Sequence, residues 1–115
     1  MPSVDVQVTA PPEAPREGTV FVIARPPGGG MPYAVIRRPA ALLPLGVRLD
    51  DTTAMNPALK LSDAAEIQVV VRLSRSGDPT PAAGDWEWQS EALPVTDLAQ
   101  PLTLEAALKP RGDAS

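Results

Sequence analysis

The sequence predicts an all-β protein, an antiparallel sandwich of about seven short strands, and three observations carry that prediction. Apolar residues alternate with polar ones at a period of two in several separate runs. Proline or glycine bounds these runs. Prolines are also abundant, 15 among 115 residues, and they fall between the runs rather than within them. A proline inside a helix removes a hydrogen bond and clashes with the preceding turn, so this placement suits strands joined by turns.

Residues 3–9 put Val4, Val6 and Val8 on one face and Asp5 and Gln7 on the other, which is a half-buried strand. APPEAPREG, at 10–18, forms a turn or loop. TVFVIAR at 19–25 is apolar on both faces, as a central strand requires. A third strand is expected at 33–38, and a fourth at 45–50 turns Leu45, Val47 and Leu49 inward. Residues 51–65 connect, with one helical turn expected after Ser62, whose hydroxyl can cap it. The strongest strand is 66–74, where Ile67, Val69, Val71 and Leu73 alternate with Gln68, Val70 and Arg72. The long loop RSGDPTPAAGD leads to WEWQS, in which Trp86 and Trp88 share a face.

The last segment, PLTLEAALKP, sets two signals against each other. Alanine, leucine and glutamate favour a helix by propensity. Yet Leu102, Leu104, Ala106 and Leu108 lie at even spacing, and a helical stripe from Leu102 would turn Glu105 and Lys109 inward. The periodicity predicts a strand. Seven strands so punctuated, with a crossing between sheets just before Ile67, point to a sandwich of immunoglobulin-like type. With no cysteine to bridge the sheets, aliphatic packing must hold this core.

Composition narrows the chemistry. The net charge is −4, and Arg37 with Arg38 is the one local basic cluster, so nucleic-acid binding is not expected. The absence of cysteine removes thiolate zinc sites and cysteine nucleophiles. The absence of histidine removes the Ser-His-Asp triad, imidazole metal ligands and a near-neutral proton shuttle. Only carboxylates, lysines, serines and threonines are left for proton transfer, which argues against an enzyme, and no cofactor is expected. No apolar run approaches the ~18 residues that span a bilayer. The N-terminus lacks the basic and apolar regions of a signal peptide. Either the domain is cytoplasmic or it belongs to a longer chain whose targeting segment lies elsewhere.

Four motifs need weighing. In ARPPGGGMPYAVIRR, a phosphate cradle would need Gly-Lys-Ser/Thr opening a helix, but Met31-Pro32-Tyr33 and a strand follow. A hairpin loop with at least one glycine at positive φ is expected instead. Met31 and Tyr33 on a proline-stiffened backbone suit partner contact. Asp50-Asp51 read as a turn capping its own amides, because neighbours on a strand diverge and calcium-loop spacing is absent. Met31 and Met55 are soft ligands for cuprous copper, but without His or Cys they make a poor set. Trp86 and Trp88 read first as core or edge packing and second as a ligand platform.

Three segments in order, TVFVIARPPGGGMPYAVIRR, LLPLGVRLDDTTAMNPALKLSDAAEIQVVVRLSRSG and PAAGDWEWQS, resemble the C-terminal domain of the CcmI/CycH family of cytochrome c biogenesis proteins. The resemblance covers about residues 3–108 and is weakest after Gln89. It implies a single immunoglobulin-like domain over 1–115, drawn from a longer chain in which a membrane segment and a tetratricopeptide-repeat domain come first. It also implies a periplasmic location, with the membrane reached only through that missing part. Such proteins chaperone apocytochrome c for heme ligation, so apocytochrome c or other maturation proteins are the implied partners.

Binding and positioning agree with a chain that lacks thiols and imidazoles. Candidate partner-binding residues are Met31, Pro32, Tyr33, Arg37, Arg38, Trp86 and Trp88. A structural cap on a neighbouring repeat domain is the alternative.

Overall fold

The computed structural model describes residues 3–54, 60–74, 85–100 and 102–110. Each of the seven predicted runs forms a strand, and two short strands join them. In chain order they are β1 (Val4–Thr9), β2 (Thr19–Arg25), β3 (Ala34–Pro39), β4 (Leu45–Leu49), β5 (Glu66–Ser74), β6 (Trp86–Gln89), β7 (Leu93–Pro94), β8 (Leu102–Ala107) and β9 (Lys109–Pro110). They make two sheets, β4-β1-β8 and β3-β2-β5-β6-β9, with β7 also paired to β5. The fold is an all-β, immunoglobulin-like sandwich.

The inward faces are those the alternation specified. Val4, Val6, Val8, Val47 and Leu49 of the smaller sheet meet Val20, Val22, Ile36, Ile67, Val69, Val71 and Leu73 of the larger one. Within this last segment Leu102–Ala107 is a strand, with Ala106 and, just beyond the strand, Leu108 buried and Leu102 and Leu104 packed at the core's margin. Burial of its even positions outweighs the helical propensity of the segment.

Four features depart from the expectation. The β1–β8 pair is parallel, Val4 opposite Leu102 and Val8 opposite Ala106, whereas the other pairs are antiparallel. A two-residue hairpin forces antiparallel pairing, but β8 reaches β1 from the other sheet, which frees its direction. After β8 the chain changes sheets: the Leu108 N–H donates to the Thr9 carbonyl (2.9 Å), and β9 then pairs with Trp86 and Glu87. Third, β5 is buried on both faces, with Val70 and Ser74 fully enclosed and Arg72 8% exposed. Val70 lies between Ile23 of β2 and Gln89 of β6, and Arg72 between Phe21 and Glu87, so a central strand's neighbours shield its outer side.

The fourth departure concerns residues 51–65. Among the described residues two 3-10 turns occur, Asp51–Thr53 and Leu61–Asp63. Ser62 lies inside the second turn and does not cap it. Its N–H and hydroxyl instead donate to the Asp51 carboxylate, at 3.0 and 2.7 Å. The Asp63 carboxylate accepts from the Lys60 N–H at 3.0 Å. Leu61 is fully buried and drives the turn against the core.

One side chain completes the β5 ladder. Between β6 and β7, the Ser90 N–H donates to the Val69 carbonyl (2.8 Å), and the Val69 N–H donates to Ser90 Oγ (2.9 Å). The hydroxyl takes the place of a strand carbonyl where the edge bends. Gln68 Nε2 donates to the Ser90 carbonyl (3.0 Å), and the Gln68 Oε1 accepts from Arg25. Ser90→Ala leaves a buried N–H without its acceptor, so a loss of about 1–3 kcal/mol is expected in urea unfolding. An unchanged midpoint would show that the hydroxyl contributes nothing to the ladder.

Candidate functional site

The glycine loop is a tight turn. The Gly29 N–H donates to the Pro26 carbonyl at 3.0 Å, with Pro27 and Gly28 at the two central positions and Gly28 at φ +87°. Proline first and a positive-φ glycine second define a type II turn. Gly29 and Gly30 also have positive φ, and the Tyr33 N–H closes the hairpin on the Ala24 carbonyl at 2.8 Å. No helix begins here.

A Cβ on Gly28 would meet nothing within 4 Å, so the cost of adding one comes from the backbone alone. Gly28→Ala should lower stability by about 1 kcal/mol, measured by thermal melting. Met31 is 61% exposed, and Met31→Ala should stay within about 0.5 kcal/mol of the parent. A larger effect of Met31 than of Gly28 would contradict a loop shaped by its glycines.

Tyr33 behaves differently from Met31. It precedes β3 and packs against the core, with Pro32 half-buried beside it. Of the three loop candidates, only Met31 projects into solvent.

Arg37 and Arg38 lie at the other end of β3. Ala34 is next to the loop, and at about 3.3 Å per residue Arg38 stands about 13 Å further along the strand. There they face Gly18 and Thr19: Thr19 pairs with Pro39, and the Ala40 N–H donates to the Gly18 carbonyl (3.1 Å). Gly18, Thr19, Arg37, Arg38 and Pro39 line an open depression of about 270 Å³. Both arginines are exposed, and Arg38 Nη1 donates to the Arg37 carbonyl at 2.8 Å. Next comes the 3-10 turn Ala40–Leu42, where Leu42 is 57% exposed.

Trp86 and Trp88 are three strands away from β3. They pair with Leu73 and Val71, the inward positions of β5, and both are half-buried against the core. The seven candidates therefore occupy three places: the loop, the far end of β3, and the inner side of β6, the strand before the opposite edge. Local reasoning missed Gly18 and Thr19, which only the fold brings beside the arginines, and Leu42, exposed in the turn that follows them. RRPAALLP shows a charged pair running into an apolar turn, but not which of its leucines is exposed.

The remaining polar features are structural. The Asp50 carboxylate accepts from the Thr52 N–H (2.9 Å), and Asp51 is taken up by Ser62. Asp50 therefore caps its own turn as expected, whereas Asp51 does not cap amides of its own turn but ties it to the turn at Leu61–Asp63. The Arg48 guanidinium donates to Asp5 at 2.6 and 3.1 Å across β1 and β4. That hydrogen bond lowers the Asp5 pKa below the usual carboxylate value and raises that of Arg48. Among the described residues, no group of three or more acidic side chains converges as a metal site. Met55 and most of the loop before the tryptophans (75–84) lie outside the described residues.

A sandwich of this kind, built from these segments in this order, matches the immunoglobulin-like domain of cytochrome c-type biogenesis protein H over residues 3–105, and the chain belongs to that family. Over 110 residues it is 36% identical to the cytochrome c-type biogenesis protein CycH of Pseudomonas aeruginosa. The match takes in 94% of this chain but 26% of that protein, so the chain spans about a quarter of the relative's length. No solved structure matches it.

Proposed function

We propose that the chain is a non-catalytic binding and docking module of a c-type cytochrome maturation factor. In this reading it serves on the periplasmic side, within a longer membrane-anchored chain that carries tetratricopeptide repeats and presents apocytochrome c for heme ligation. The observation that carries the reading is the family match over residues 3–105. Composition supports it: a chain without cysteine or histidine has neither a thiol for disulfide exchange nor an imidazole for heme iron. What remains to such a domain is recognition through exposed side chains and strand edges.

The test is a titration of this chain with reduced apocytochrome c and, separately, with each of the other maturation proteins, followed by calorimetry. Saturable binding to at least one of them is expected. Absence of binding to all of them at several hundred micromolar would remove the reading.

A further inference from the structure

We infer that the Arg37–Arg38 end of β3, with the depression beside it and Leu42, is a docking surface for an acidic, extended segment of a partner protein. The inference rests on the reading of the domain as a binding module and names the place and chemistry of the contact.

Charge singles out this place. The other described arginines are committed within the fold: Arg16 to the carbonyls of Ala10, Pro11 and Ala14, Arg25 to Gln68, Arg48 to Asp5, and Arg72 in the sheet. Arg37 and Arg38 are exposed, and among the described residues neither has a carboxylate within ion-pair distance. Among the described residues Arg37 makes no side-chain hydrogen bond and Arg38 makes one, to the Arg37 carbonyl. As consecutive strand residues they turn to opposite faces, yet both line the depression. On a chain of net charge −4 they form a local positive field on an acidic molecule. Guanidinium forks fit carboxylates in bidentate pairs.

Shape and backbone supply the rest. β3 is the terminal strand of its sheet. Its outer side meets Ala54 at Ala34, and among the described residues no strand continues along it towards Arg38. An extended segment can add to that edge, ending at Pro39, which has no N–H to donate. Such a segment turns alternate side chains to opposite faces. Consecutive carboxylates then reach Arg37 on one face and Arg38 on the other, while an apolar residue reaches Leu42 or enters the depression. A lipid surface is the weaker fit, because it makes no use of a strand's hydrogen-bonding edge.

The experiment uses the 115-residue chain and a fluorescein-labelled nonapeptide of three Glu-Glu-Val repeats, followed by fluorescence anisotropy. The glutamine-valine counterpart is the uncharged control. The acidic peptide should bind saturably, more weakly in 500 mM than in 50 mM salt. Arg37→Gln with Arg38→Gln should weaken it at least tenfold and Leu42→Ala several-fold, whereas Arg48→Gln should leave it unchanged. All these side chains are exposed, and melting curves confirm that the variants fold.

Several results would overturn the inference: no saturable binding of the acidic peptide, equal binding of the glutamine peptide, or no effect of the double substitution. So would self-association of the double variant with peptide affinity intact, since the arginines would then be guarding a bare edge. Sedimentation with phosphatidylglycerol vesicles in place of peptide binding would assign the surface to lipid. If parent and double variant capture apocytochrome c equally, this surface is refuted and the binding-module reading stands. If the parent binds the acidic peptide but neither apocytochrome c nor any maturation protein, the surface stands and the maturation role fails.

Discussion

Val69→Asp is expected to unfold most of the protein or to lower its stability by about 3–5 kcal/mol, the usual effect of an unpaired buried charge. Val69 has no exposed surface and lies among the inward residues of both sheets. A domain of this size commonly has only about 5–15 kcal/mol of stability. Val70→Asp, one residue on and facing the opposite way, is expected to lose a comparable amount, because Val70 is also fully enclosed. Strand alternation alone assigns Val70 to the outer face and a mild effect. Urea unfolding of the two variants decides the matter: a Val70→Asp midpoint close to the parent's would show that the outer side of β5 is wet.

Leu61→Ala is expected to cost about 2–5 kcal/mol, as large-to-small changes at enclosed leucines do. Leu61 lies in a 3-10 turn between β4 and β5, a stretch whose polar residues mark it as a plain connection, yet it has no exposed surface. Asp51 fixes the same turn from outside through Ser62, but the carboxylate is only partly buried and the serine is exposed. Asp51→Ala should therefore cost much less, about 1 kcal/mol. Calorimetric melting of the two variants tests the order. A smaller shift for Leu61 than for Asp51 would mean that hydrogen bonds, and not burial, seat the turn.

The same packing limits what the domain presents outside. Its core is aliphatic and spread over both sheets, and what it offers outside is restricted to a few places. Met31 stands on a rigid loop, and the cationic end of β3 is about 13 Å further along the strand. A partner engaging both would have to lie along β3. Trp86 and Trp88, turned inward on β6, contribute to the core and are positioned away from such a partner.

Much of the candidate site was legible residue by residue and little of it as a surface. Composition pointed to Arg37 and Arg38 as the one basic cluster, and loop chemistry pointed to Met31. That the arginines stand beside Gly18 and Thr19, and not beside the glycine loop, depends on the direction and length of β3. Exposure of Leu42 has no local signal, since LL in an apolar turn reads equally well as core; its neighbour Leu43 does pack against the core.

By itself the sequence determined which residues form strands and which faces turn inward. Period-two alternation is a local record of a sheet with one buried side, as at Val4, Val6 and Val8 or at Leu102, Leu104 and Ala106. It likewise determined the turn at Pro27-Gly28, because only a few residue types accept those backbone angles. Tertiary structure alone decided which strands meet. Val4 finds its parallel partner at Leu102, nearly a hundred positions away, and no pattern within either strand encodes that choice. It alone decided that β5 is covered on both faces and that the chain changes sheets at Leu108. Pairing and coverage are set by non-local burial summed over the whole domain, where many partners are acceptable locally and only one arrangement closes a core of these volumes.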